Sequence, residues 1–127
     1  MDDISTVTGV LYDYYAAFSS LEPEVIAPYF HEPCIFISPQ GVAATLTHDD
    51  VKDVSRAIAE GLRPRGYKKS DLTALQVKRM SDTAILASGI AVRSKSDGNE
   101  LERVGVTYLM HKSNDRWKIA VTVIHDT

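Results

Sequence analysis

Three predicted strands follow one another in residues 83–125, which read TAILASGIAVRSKSDGNELERVGVTYLMHKSNDRWKIAVTVIH. Apolar and polar side chains alternate along much of this segment, and a period of two is typical of β-strands. Asp97-Gly98 is a hairpin signal, and Ser113-Asn114-Asp115 predicts a second turn. Strands joined by such short turns pair in antiparallel fashion. The predicted strands are 83–93, 100–112 and 116–125, preceded by one that starts near Ser70 and carries Leu75 and Val77.

The residues before this segment have the spacing of helices. An apolar stripe with steps of three and four residues predicts a first amphipathic helix, and it consists of Ile4, Val7, Leu11, Tyr14 and Phe18. Pro23 starts a second, short helix. Thr47 and Asp50 resemble a capping box before a third helix at 48–61. With a short strand at Cys34–Ser38, the chain is predicted to be an α+β fold in which N-terminal helices pack on an antiparallel sheet.

Composition limits the partners that this protein is expected to have. The chain has 127 residues, of which 44% are hydrophobic, and this predicts one domain. Its net charge of −3 predicts a surface without a dominant basic region. We therefore expect no nucleic-acid partner and no anionic membrane partner. No apolar segment approaches the ~20 residues that cross a bilayer. The acidic segment Met1–Ser5 lacks the cationic and apolar regions of a signal peptide, which predicts a cytoplasmic protein.

Neither face of the predicted sheet is polar. In the strand at 100–112, one face carries Val104, Val106, Tyr108 and Met110, and the other carries Gly105, Thr107 and Leu109. In the last strand, Trp117, Ile119, Val121 and Val123 are expected to share the more apolar face. A sheet with helices on one side only should have a wetter second face. We therefore predict a homodimer through the sheet; the alternative is an adaptor whose sheet face recruits a different protein.

Four short motifs carry a resemblance to a known superfamily. They are Tyr14–Phe18, Ile26–Phe30, Phe36–Gly41 and Trp117–Ile119. With the order of elements, they resemble the nuclear transport factor 2-like superfamily, which includes SnoaL-like polyketide cyclases and ketosteroid isomerase. The segment Leu101–Tyr108 and the pair His125-Asp126 are similar to an uncharacterised bacterial branch of it. The resemblance implies a single domain over residues 1–127, built as a cystatin-like cone whose strongly curved sheet and helices enclose a mostly apolar pocket. It implies no particular activity.

The resemblance also allows a comparison with the isomerase mechanism, which uses an Asp base and two oxyanion donors, a Tyr and a protonated Asp. Tyr14 falls at the position of the tyrosine donor, and Ser38 falls at the position of the base. The second donor should lie among Val106, Thr107 and Tyr108, none of which is an acid. Serine cannot accept a substrate proton near pH 7 without a base of its own. The isomerase mechanism is therefore not expected here.

Six residues are predicted to line the pocket, and several have a structural alternative. They are Tyr14, Phe18, Phe36, Ser38, Arg93 and Tyr108. The tyrosines can equally be packed core residues, and Ser38 can stabilise the turn at Pro39. Arg93 can clamp a ligand carboxylate, although pairing with Glu102 on the neighbouring strand is the ordinary explanation.

The remaining candidates are the histidines and the single cysteine. His125, next to Asp126, is a candidate catalytic acid or base, and a solvent-exposed terminus is the alternative. No metal-ligand spacing connects His31, His48 and His111, and Cys34 is the only cysteine, so neither a metal nor a cofactor is expected. The leading hypothesis is a protein that binds a small, mainly apolar ligand. The alternative is a small SnoaL-like isomerase, cyclase or dehydratase with a base other than the missing Asp.

Overall fold

The computed structural model describes residues 2–127, and Met1, the first residue of the predicted domain, lies outside them. The helices are α1 (Asp3–Ser19), α2 (Pro23–Ile26) and α3 (His48–Leu62). Single 3-10 turns follow α2 and α3 at Ala27–Tyr29 and Arg63–Arg65. The strands are β1 (Phe30–Ser38), β2 (Gly41–Thr45), β3 (Tyr67–Arg79), β4 (Ala84–Lys95), β5 (Glu100–Ser113) and β6 (Arg116–His125). No helix within residues 2–127 is long and apolar enough to cross a membrane.

All six strands form one sheet in the order β2-β1-β6-β5-β4-β3. The four strands β3 to β6 are the predicted antiparallel meander, which confirms the α+β fold with helices on a curved sheet. Two features differ from the prediction. Residues Gly41–Thr45 form a strand that pairs with β1, and β1 runs parallel to β6. The parallel pair arises because the chain passes through α3 to the far edge of the sheet before the meander returns to β1.

Local capping explains where the long helices begin. The Asp2 side chain accepts a hydrogen bond from the Ile4 backbone N–H at 3.1 Å, which starts α1. Thr47 and Asp50 form the predicted capping box, each side chain accepting from the other residue's backbone N–H at 3.3 Å. The third helix extends to Leu62, one residue beyond the predicted end. These caps set the first turns of α1 and α3.

The core lies between α1 and the concave face of the sheet. Val7, Leu11 and Tyr14 from the predicted apolar stripe are buried. They belong to one cluster with fully buried side chains from three central strands, and these are Ile85, Val106, Met110 and Ile119. Cys34 is buried as well, and its Sγ lies 2.9 Å from Thr45 Oγ1. Burial raises the pKa of this thiol, so it is not a nucleophile activated by its surroundings.

Irregularities in the strand pairing bend the sheet around this core. The β3–β4 register shifts between Thr73 and Gln76, where Ala74 has a φ of 53°. Gly89 faces this bulge, and a Cβ placed on it would lie 2.8 Å from the Thr73 carbonyl oxygen. A residue without a side chain is therefore needed where the two strands approach most closely. Bulges of this kind increase twist and curvature, and the curved sheet can then close over a cavity.

A second bulge corrects the predicted orientation of β6. Its pairing with β5 slips between Leu109–Val121 and Met110–Ile119, so the alternation of faces is interrupted at Ala120. Thr122 is buried on the concave side, whereas Val121 and Val123 are partly exposed. The prediction that Val121 and Val123 share a face with Ile119 was therefore wrong. The convex face carries partly exposed apolar residues, which are Leu86, Ile90, Val92, Leu109, Val121 and Val123.

Replacing Gly89 with Ala should destabilise the protein because its new methyl group would meet a backbone carbonyl that cannot rotate away. We expect a loss of about 1–3 kcal/mol in the free energy of unfolding, measured by urea denaturation. Gly9→Ala is the matched control, since a Cβ at Gly9 on α1 has no neighbour within 4 Å. This control should gain about 0.5–1 kcal/mol from helix propensity. Equal stability of the two variants would contradict the close approach at Gly89.

Candidate functional site

Two adjoining cavities lie between the helices and the concave face of the sheet. The outer cavity has a volume of about 660 Å³, and the inner one has a volume of about 80 Å³. Five residues line both cavities, and we call this set the neck: Phe36, Ile58, Arg93, Thr122 and Ile124. Helix α3 contributes Ile58 to the neck, and strands β1, β4 and β6 contribute the others. The neck is therefore the point where the third helix faces the curved sheet.

The outer cavity opens towards solvent at the β1–β2 turn. Gln40 and Val42, which line it, are exposed, and Val42 is 71% exposed. Its other walls come from the α3 residues Val54 and Ile58 and from the end of β6. Glu102 and Asp126 are carboxylates in this lining, so the rim of the cavity is more acidic than its interior.

The inner cavity is lined mainly by aromatic and aliphatic side chains. Three of its aromatic residues come from α1 and one from β5, and they are Tyr14, Tyr15, Phe18 and Tyr108. The Tyr15 and Tyr108 hydroxyls lie 2.7 Å apart, close enough for one to donate to the other. Burial raises the pKa of Tyr15 to about 12 and holds the pKa values of Tyr14 and Tyr108 well above the ordinary tyrosine value. All three phenols are therefore neutral at physiological pH.

Tyr14 and Tyr108 combine the two roles that the sequence left open. The Tyr14 ring packs edge-on against Tyr15, Phe30 and Tyr108, with centroid separations of 5.6, 5.4 and 6.1 Å. Tyr14 is thus a core residue by packing, and it lines the inner cavity as well. Tyr108 is 3% exposed and lines the same cavity. Their contact with a ligand stays a prediction.

Arg93 is the only charged residue that lines the inner cavity within the described part of the chain. Its Nη1 donates to Glu102 Oε2 at 3.0 Å, and Arg65 Nη2 donates to the other Glu102 oxygen at 2.5 Å. The guanidinium carbon lies 5.5 Å from the centroid of the Phe18 ring, a cation–π distance. The predicted pairing with Glu102 is present. Because Arg93 also lines both cavities, its pairing does not remove it from the candidate site.

Two buried polar atoms have no hydrogen-bond partner among residues 2–127, and both belong to the neck. They are Arg93 Nε and Thr122 Oγ1. A buried polar group without a partner costs about 1–3 kcal/mol, and more when it is charged. Most proteins avoid this cost, so a pair of such atoms in one cavity wall makes the neck the candidate functional site.

Ser38 is held in the turn that it was suggested to stabilise. Its Oγ donates to Gln40 Oε1 at 3.0 Å and accepts from the Gln40 backbone N–H at 3.3 Å. Ser38 also lines the outer cavity, although its hydroxyl is already occupied within the turn. Phe18 and Phe36 lie in the walls as predicted residues, Phe18 in the inner cavity and Phe36 in the neck.

His125 is among the residues that line the outer cavity, but its ring lies against Gly105 and Thr107 on the convex face of the sheet. Nε2 is 2.9 Å from Thr107 Oγ1, and Nδ1 is 2.7 Å from the Asp126 backbone carbonyl oxygen. The ring covers Gly105, where a Cβ would come within 2.4 Å of it. The residue is exposed, and its carboxylate neighbour contacts it through the backbone and not through the side chain. A catalytic role for His125 stays a prediction.

Sequence reasoning missed several residues of the site, among them Tyr15, Ile58 and Thr122. Tyr15 follows Tyr14 in the quoted aromatic motif and was not singled out, although helical geometry allows neighbouring positions to flank one cavity. Ile58 is an apolar residue of α3, and an apolar residue in an amphipathic helix ordinarily indicates core packing. Thr122 was placed on the wrong face of β6 because no turn or glycine signal marks the bulge at Ala120. Within residues 2–127, no group of three or more His, Cys, Asp or Glu side chains is arranged to hold a metal ion.

Replacing Thr122 with Val should stabilise the ligand-free protein because it removes a buried hydroxyl that has no partner. We expect a gain of about 1 kcal/mol in the free energy of unfolding, measured by urea denaturation. Thr45→Val is the matched control, since Thr45 is equally buried but its hydroxyl donates to the Cys34 carbonyl oxygen at 3.0 Å. The control should lose about 1 kcal/mol. A loss of stability in both variants would contradict the unpartnered state of Thr122.

Solved structures with the same fold are numerous, and three illustrate the range. Aln2 from a Streptomyces species has a TM-score of 0.81 at 16% identity, over 99% of this chain and 92% of that one. An NTF-2 like protein of unknown function from Shewanella oneidensis MR-1 has a TM-score of 0.77 at 16% identity, over 98% and 100%. A protein of unknown function with a cystatin-like fold from Nostoc punctiforme PCC 73102 has a TM-score of 0.80 at 11% identity, over 94% and 86%.

At these identities, the structural similarity establishes the fold and no activity. No protein of curated function matches this sequence. The family model described as NTF2-like protein (DUF6841) matches residues 5–127, nearly the whole chain. The cone-shaped fold, the cavity under its curved sheet and this match agree, and the chain belongs to the NTF2-like family DUF6841.

Proposed function

We propose that this protein binds a small, mainly apolar molecule in the two adjoining cavities. The observation that carries the proposal is the neck, where apolar side chains and two unpartnered polar atoms meet in one wall. The outer cavity, at about 660 Å³, lies within the usual range of ligand sites. Such sites are predominantly apolar with a few polar groups that orient the ligand, which is the composition found here.

The arrangement favours binding over isomerase-type proton transfer. Ser38 stands where the resemblance requires a base, and its hydroxyl is engaged with Gln40 in the turn. The three buried tyrosines remain protonated, so they can donate hydrogen bonds to a carbonyl or hydroxyl group but cannot accept a proton. A ligand would therefore be held by apolar contact and by a small number of neutral hydrogen bonds.

A neutral apolar dye tests the cavity without relying on any charged group. N-phenyl-1-naphthylamine should gain fluorescence when it binds the protein. Ile58→Trp should weaken this binding by about tenfold or more, because the larger side chain fills the neck. Ala57→Trp, on the exposed side of the same helix, is the matched control and should bind the dye as the unaltered protein does. Failure of the unaltered protein to bind the dye, or equal binding by both variants, would contradict the proposal.

We also propose that two copies pair through the convex face of the sheet. The strand register places Leu86, Leu109 and Val121 side by side across β4, β5 and β6. These side chains are only partly buried, and no helix covers this side of the sheet within residues 2–127. A second copy would offer the same row of side chains, which is the condition for a two-fold symmetric contact.

The mass in solution tests this pairing. We expect light scattering at micromolar concentration to give the mass of a dimer, and Leu109→Glu to give that of a monomer, because two buried carboxylates would face each other across the symmetric contact. Tyr12→Glu, at an exposed position on α1, which packs on the opposite, concave side of the sheet, is the matched control and should remain dimeric. A monomeric mass for the unaltered protein would rule out the pairing.

A further inference from the structure

The guanidinium of Arg93 has one edge that the protein uses and one that it leaves free. Nη1 donates to Glu102, whereas Nε is buried without a partner among residues 2–127. In any guanidinium, the N–H of Nε lies parallel to one N–H of Nη2, and this edge fits both oxygens of a carboxylate. The protein therefore holds Arg93 through Nη1 and leaves Nε, on the edge best suited to a bidentate anion, without a partner among residues 2–127.

The surroundings prevent Glu102 from serving both edges. Each of its oxygens already accepts from a different arginine, Oε1 from Arg65 and Oε2 from Arg93. Rotating Glu102 towards Arg93 Nε would break the pair with Arg65. The three side chains together carry a net charge of +1, since arginine is always protonated in proteins. One further carboxylate would bring this group to neutrality.

The orientation of Arg93 is also restricted from its other side. Its guanidinium lies over the Phe18 ring, and only 18% of its side chain is exposed. A cation packed against an aromatic face and fixed by one carboxylate loses little further freedom when it binds a second one. Because water is largely excluded, the attraction is stronger than at the surface of the protein.

We propose that the neck recognises a monocarboxylate, whose two oxygens accept from the Nε edge of Arg93 while its apolar body occupies the cavities. This inference rests on the proposed function and names the class of ligand. A second anionic group is disfavoured, because one carboxylate already neutralises the group formed by Arg65, Glu102 and Arg93, and Asp126 also lines the outer cavity.

Thr122 marks a different position along the same cavity. Arg93 pairs with Glu102 on β5, whereas Thr122 pairs with Tyr108, six positions further along that strand. Their side chains nevertheless line the same two cavities, so one ligand can meet both with different groups. The carboxylate is assigned to Arg93, and Thr122 is left for a hydroxyl or carbonyl group elsewhere on the ligand.

Matched pairs of acids and amides test the inference in the unaltered protein. Hexanoate and 3-phenylpropanoate should displace N-phenyl-1-naphthylamine at concentrations about tenfold lower than hexanamide and 3-phenylpropanamide, because only the acids form charge-assisted bonds. With arginine side chains labelled with 15N, hexanoate should also shift the Nε–H signal of Arg93. Equal displacement by acid and amide, with the dye still bound, would overturn the inference and leave the proposed function intact. Absence of dye binding would instead contradict both.

Three variants then locate the preference. Arg93→Met keeps the apolar stem but removes the guanidinium, and it should make acid and amide displace the dye at the same concentration. Arg93→Lys keeps the charge without the planar fork and should retain only part of the preference for acids. Arg103→Met is the matched control: Arg103 pairs with Glu100, lines neither cavity and should leave the preference unchanged. A preference for acids that survives Arg93→Met would overturn the assignment to Arg93.

Discussion

The packing of α1 across a bent sheet is the constraint on which the other features of this protein depend. A flat sheet would contact the helix along the helix's whole length, and no cavity would remain between them. Here, bulges in β3 and β6 curve the sheet, and α1 covers only part of the concavity. The core is closed at the ends of β4 and β5 that carry Ile85 and Met110. Towards the β1–β2 turn the walls separate, and the space between them becomes the two cavities.

Because the cavity walls are largely apolar, the polar groups within them need hydrogen-bond partners from the protein. The Tyr15 and Tyr108 hydroxyls satisfy this need by hydrogen-bonding to each other. Arg93 Nη1 is paired with Glu102, whereas Arg93 Nε has no partner among residues 2–127. A site built for folding alone would gain stability by replacing such groups with apolar ones. The retained cost supports the proposed ligand site, in keeping with the general observation that locally unfavourable groups collect at functional sites.

Much of the fold was predictable because it depends on local patterns. The apolar stripe of α1, the Thr47–Asp50 capping box and the turns at Gly98 and Asn114 act within a few residues of the chain, and each appears in the structure. The parallel pairing of β1 with β6 was not predictable in this way, since it joins segments about ninety positions apart. The sheet face on which Thr122 lies was equally unpredictable, because a bulge shifts every later side chain in a strand to the opposite side.

The candidate site, like the fold, has features that residue types predict and features that depend on tertiary contacts. Residue types at recognisable positions were sufficient to name Tyr14, Phe18, Phe36, Arg93 and Tyr108 as residues of a pocket, and all of them line the cavities. They were also sufficient to show that Ser38 cannot replace an Asp base. The state of each group depended on contacts between distant segments: which hydroxyls pair, which edge of Arg93 is used, and where His125 lies. Side-chain chemistry is a property of the residue, whereas burial and hydrogen-bond partners are properties of the folded chain.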